Sequence, residues 1–76
     1  MDNHTTEQTY REALVIALAI AEDAQEYAQE MLAIHMRDLG TSIPRYKARA
    51  LRIEKDINAA KDAQVLFKRI LGLTER

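Results

Sequence analysis

One interruption divides this chain into two stretches of sustained helical rhythm: Leu39-Gly40-Thr41-Ser42-Ile43-Pro44. Gly40 suits the left-handed residue that closes a helix, and Pro44 suits a first helical turn, where a missing N–H leaves no bond unmade. Pro44 also steers Ile43 into extended backbone, so a second helix is expected to start at about Pro44. Thr41 or Ser42 would accept from the exposed amides there. Upstream, Thr5-Thr6-Glu7-Gln8 has the spacing of a capping box, Thr5 bonding forward and Gln8 reaching back. The reading is one domain over residues 1–76: a helix at about 6–38, a turn at 39–43 and a helix at about 44–71.

Each stretch carries a seam. In the first, Tyr10, Leu14, Ala17, Ala21, Ala24, Ala28, Met31 and His35 alternate steps of four and three; in the second, Tyr46, Ala50, Ile53, Ile57, Ala60, Gln64, Phe67 and Leu71 do the same. That is the pattern of helices lying along one another. A short turn forces the second helix back along the first, each a rod of roughly 50 Å or less at 1.5 Å per residue. Folding about the turn sets His35 beside Tyr46 and Ala50, and Ala21 and Ala24 near Ala60 and Gln64. The four seam alanines of the first helix predict a close approach of the backbones. Gln64, polar on an apolar seam, is either a residue leaning out at the edge or a register device, since a buried amide must find a partner.

A hairpin buries one stripe per helix, and this sequence has more apolar surface than that. Ile16, Ile20, Tyr27 and Ile34 form a second row on the first helix; Ala59, Ala63, Leu66, Ile70 and Leu73 form one on the second. Left in water, these rows make an apolar patch that monomers rarely tolerate. At 76 residues a single chain also has little core, and the absence of cysteine removes disulfides and thiolate metal sites as staples. The expected architecture is therefore all-α, an antiparallel two-helix hairpin dimerising into a four-helix bundle through Ile16, Ile20, Tyr27, Ile34, Ala59, Ala63, Leu66 and Ile70. A stable complex with a different protein would satisfy the same rows.

Charge is near balance at −1 but unevenly placed. Residues 1–39 hold eight acids and two bases, residues 40–76 nine bases and four acids. An acidic helix folded on a basic one is self-complementary. Two groups stand outside that account. Glu22, Asp23, Glu26 and Glu30 lie away from the seam, and Arg45, Arg49 and Arg52 form a ridge in the first turns of the second helix, where the helix dipole disfavours cations. Asp38, acids of a second subunit or nucleic-acid phosphate would compensate the ridge. The carboxylates at the end of the first helix, brought alongside by the turn, are the nearest anions.

No catalytic spacing is present. His4 and His35 are far apart, neither has an acid three residues before it, Ser42 has no base in reach, and two isolated glycines cannot cradle a phosphate. Glu26 and Glu30, one turn apart, read as a solvated ridge. His35 reads as a packed, hydrogen-bonded ring beside Tyr46, and His4 as solvent-exposed. No metal or cofactor is expected. The first residues lack the charged and apolar regions of a secretory signal, which favours a cytoplasmic setting, and the longest apolar run, Ala13 to Ala21, is far too short to span a bilayer.

Two functions fit. One is a non-catalytic, self-associating interaction module that docks on a larger protein as adaptor, regulator or inhibitor, with Glu22, Asp23, Glu26, Glu30, Arg45, Arg49 and Arg52 as candidate partner contacts. The other is a small nucleic-acid-binding regulator using Arg45, Arg49 and Arg52 with Tyr46 and Lys47. A sequence pI of 6.1 and an acidic first helix, which repels a phosphate backbone, favour the first.

Overall fold

A computed structural model describes residues 3–72, with side chains from residue 6 onward. Two helices, α1 (Asn3–Asp38) and α2 (Pro44–Leu71), pack antiparallel as a helical hairpin. The hairpin measures 58 × 28 × 16 Å. Neither helix is long and apolar enough, among the described residues, to cross a membrane.

The turn works through its backbone. Leu39 and Gly40 both donate to the His35 carbonyl, at 2.8 and 2.9 Å, and Gly40 sits at φ 66°, a left-handed conformation that ends α1 without a steric penalty. Ile43 is the residue before α2, extended at φ −104° and ψ 134°, and its carbonyl accepts from Tyr46 and Lys47 at 2.9 and 3.0 Å. No side chain caps α2, so the part expected of Thr41 or Ser42 is not played by either. Pro44 at the first position already removes one of the four amides a cap would serve. The start of α1 also differs from expectation. Helical backbone begins at Asn3, so Thr5 lies inside the first turn and cannot be the extended residue that a capping box requires. Gln8 donates forward to Glu12 at 3.4 Å. The Thr5 and His4 side chains and Leu73 lie outside the described residues.

On α2 the seam comprises the eight residues the spacing gives, Tyr46 to Leu71, all buried or half-buried. On α1 it is rotated. Leu14, Ala21, Ala28 and His35 are buried, but Tyr10 and Ala24 are exposed and Ala17 and Met31 only half-buried. The intervening places belong to Leu18, Gln25 and Leu32. Both rows have four-three spacing and share every second member; Leu18 offers more apolar surface to bury than Ala17, and Gln25 gives Gln64 a partner that Ala24 could not, while Met31 and Leu32 are half-buried alike. Of the four alanines expected between the helices, two are buried there.

The untied end holds the bulk of the core, where Leu14, Leu18 and Leu71 cluster with Phe67 against them. Nearer the turn the buried residues are mixed in size: Ala28, Ala50, Ile57 and His35. Two cross-links fix the pairing along the rod. Arg11 Nη2 donates to the Leu71 carbonyl at 3.2 Å, satisfying an end group of α2 that has no partner within its own helix. Gln64 Nε2 donates both to Gln25 Oε1 and, at 3.4 Å, to the Ala21 carbonyl, so both of its N–H bonds are used across the seam.

That second link makes a testable claim about register. Replacing Gln64 alone by Leu strands Gln25 and should cost about 1 kcal/mol in a denaturant titration. Replacing both Gln25 and Gln64 by Leu should recover or exceed wild-type stability but broaden the amide resonances, as heptad-shifted pairings become accessible.

Candidate interaction face

The seam leaves much of the chain uncovered. Among the described residues no side chain is fully buried, and the accessible surface is 6264 Å². A compact monomer of this mass exposes about 4,700 Å². The Cα radius of gyration is 17.0 Å, where a compact domain of this length has about 11 Å. The excess, roughly 1,500 Å², exceeds the ~800 Å² that each partner gives to an ordinary protein interface.

Part of that excess is apolar and aligned. Ile16, Ile20 and Tyr27 are 61, 63 and 65% exposed, and Ile34 is exposed beside them. At 100° per residue they fall within an arc of roughly 40° on α1, turned away from the seam. On α2, Leu66, Ile70 and Ala59 are exposed and Ala63 half-buried. These residues continue, at the same four-three spacing, the line of Arg45, Arg49 and Arg52.

The two lines lie on one broad face. Tyr27, Met31, Ile34 and Asp38 of α1 and Arg45, Arg49, Arg52 and Asp56 of α2 line a single groove between the helices near the turn, with His35 at its floor. A more open hollow near the start of α1, over Glu7 to Ile16, is lined by that helix alone. Val15, Met36, Leu51 and Val65 are exposed elsewhere, in no continuous row.

The arginine ridge is not compensated within the hairpin. Asp38 lines the groove with Arg45, but its carboxylate pairs with its neighbour Arg37, at 2.9 Å. Arg45, Arg49 and Arg52 have no carboxylate at ion-pair distance among the described residues. The expectation that the end of α1 would neutralise them is corrected: a bond between sequence neighbours needs less ordering of the chain than one across the groove. Glu22, Asp23, Glu26 and Glu30, all exposed, are likewise unpaired among the described residues.

His35 is 4% exposed; its Nε2 lies 2.9 Å from the Tyr46 carbonyl, and the Tyr46 ring meets it edge-on at 6.1 Å. A carbonyl only accepts, so Nε2 carries the proton of this bond. Nδ1 is buried with no partner. Sequence reasoning found His35, Tyr46 and Gln64 from their places on the seams. It missed Gln25, displaced from notice by Ala24, and Arg11, whose role depends on where α2 ends. Among the described residues no three of His, Asp and Glu converge as a metal site.

Comparison with protein-family models, curated proteins and solved structures gave no match.

The ridge and the histidine each carry an expected outcome. Arg45→Glu places a favourable charge at the positive end of α2 and removes no ion pair within the hairpin, so at dilutions where the chain is monomeric its helicity should hold or rise, a gain of about 0.3–1 kcal/mol by thermal melting. His35→Leu removes a buried nitrogen without a partner together with the bond to the Tyr46 carbonyl, at nearly the same volume, and should shift the melting temperature little. His35→Ala should lower it, by about 2 kcal/mol of stability, because it leaves a hole.

Proposed function

We propose that this chain is a non-catalytic, self-associating helical interaction module. Its broad face pairs with a second copy to complete a four-helix bundle, and the surfaces left outside dock on a larger protein as an adaptor, regulator or inhibitor would. The observation that carries this reading is the aligned apolar surface: four large side chains of α1 and two of α2, each 41 to 65% exposed, on a chain whose total exposure exceeds that of a compact monomer by an interface's worth. Burying a Leu or Ile side chain contributes about 1.5–3 kcal/mol, so six half-exposed residues hold enough free energy to offset the loss of rotational and translational freedom on pairing.

One observation favours a second reading. Arg45, Arg49 and Arg52 stand unpaired in a row along a groove, the kind of line that can follow phosphates. Against it, Asp38 and Asp56 line the same groove, and the acids of α1 flank the face. A carboxylate in the groove repels a phosphate but suits a protein surface of mixed charge.

Self-association predicts that the melting temperature falls on hundredfold dilution and that sedimentation gives twice the chain mass at micromolar concentration. Ile20→Lys or Leu66→Glu should abolish the concentration dependence and leave a weakly folded monomer. A constant melting temperature with a monomer mass would overturn the proposal. Salt-sensitive binding to RNA or DNA, lost in the Arg45, Arg49 and Arg52 to Glu triple variant while its melting temperature holds, would put the nucleic-acid reading first.

A further inference from the structure

Two copies of a hairpin can pair face to face about a two-fold axis in two ways. The axis can run along the helices, so that both turns lie at the same end and α1 of one copy covers α2 of the other. It can instead run across them, so that the turns lie at opposite ends and each helix covers its own counterpart. The composition of the two rows decides between these.

Along α1, steps of four and three give Ile16, Ile20, Asp23, Tyr27, Glu30 and Ile34, with Asp38 one turn beyond. The half towards the free end is apolar and the half towards the turn carries acids. Along α2, the same steps give Arg45, Arg49, Arg52 and Asp56, then Ala59, Ala63, Leu66 and Ile70. Here too the free half is apolar, and the turn half carries bases. Hydrogen bonds set the heights at which the helices match: His35 beside Tyr46, Gln25 beside Gln64, Arg11 beside Leu71.

Resting on self-association as proposed above, we infer that the dimer places both turns at the same end. In that arrangement Ile16 and Ile20 of one copy meet Leu66 and Ile70 of the other. Glu30 comes level with Arg52, and Asp38 with Arg45. Asp56, the one acid in the α2 row, comes level with Tyr27, whose hydroxyl can donate to it. Arg45 and Arg52, unpaired within the hairpin, thereby come level with carboxylates of the second copy, while Arg49 comes level with Ile34; the charge pairs lie at the rim of an apolar contact, where such pairs fix orientation. With the turns at opposite ends, Arg45, Arg49 and Arg52 would instead lie against Ile70, Leu66 and Ala63. Cations would then be desolvated on an apolar row with no carboxylate to meet them.

The chain has no cysteine, so a single label can report the arrangement. Thr41→Cys, in the exposed turn and off both rows, carries a nitroxide, and the distance between the two labels is read by pulsed dipolar spectroscopy. Same-end pairing gives a distance of roughly 20–30 Å, two or three interhelical spacings. Opposite-end pairing gives more than about 40 Å, the length of a 28-residue helix. A short distance supports the inference, and a long one overturns it while leaving self-association intact. Absence of dipolar coupling in a monomeric sample overturns both. As a second arm, R45E/R52E and E30R/D38R should each weaken pairing about tenfold, and an equimolar mixture of the two should recover a heterodimer at near wild-type affinity. Failure of the mixture to pair better than either variant alone would sink the charge assignment.

Discussion

Everything in this molecule follows from the fact that a two-helix hairpin has one seam to bury. Each helix contacts one neighbour along one stripe, and some two-thirds of its circumference faces outward. The seam here holds leucines, alanines, isoleucines, a phenylalanine, a tyrosine and the polar Gln25, His35 and Gln64, and none of its side chains is shut off fully from solvent. Such a seam defines which residues face each other but removes little area from water. The rows outside it then become the largest unspent source of hydrophobic stabilisation in the chain.

The polar members of the seam divide the work differently. Gln64 and Gln25 satisfy each other across the middle, so a pairing displaced by one heptad would set each amide against aliphatic side chains. His35 anchors the seam near the turn through the Tyr46 carbonyl, at the expense of a buried Nδ1 without a partner. Arg11 fastens the untied end by reaching the last carbonyl of α2. The links join the two helices at three different heights, and together they set the alignment from which the heights of the outer rows follow.

The hairpin and its turn were legible because Gly40 and Pro44 act through local backbone preferences that no tertiary context had to override. The α2 seam was legible for a similar reason: its bulky residues fall on one four-three line and alternatives lack bulk. The α1 seam was half legible. Residues 13 to 36 are apolar on more than one side, so two overlapping four-three lines compete, and the choice depends on which one α2 covers. Capping at Thr5 and side-chain capping by Thr41 or Ser42 were misjudged because a suitable residue type does not force a helix to begin beside it. The candidate face was visible as two separate rows. That both lie on one side of the hairpin, and that the ridge arginines go without carboxylate partners, required knowing how the helices are turned.

The uneven distribution of side-chain bulk along the seam has a mechanical meaning. A hairpin is covalently tied at its turn, so separation of the helices proceeds like the parting of a zip from the free end, where no loop limits how far the strands diverge. That is the end where Leu14, Leu18, Phe67 and Leu71 interlock and Arg11 holds the Leu71 carbonyl, while towards the tied end Ala28 and Ala50 alternate with His35, Tyr46 and Ile57. The strongest grip is placed where the chain itself offers no restraint, so the first turns to fray must break the largest contacts. Once these part, the shorter seam near the turn, held by the His35 bond to the Tyr46 carbonyl, is left with the turn as its one covalent restraint.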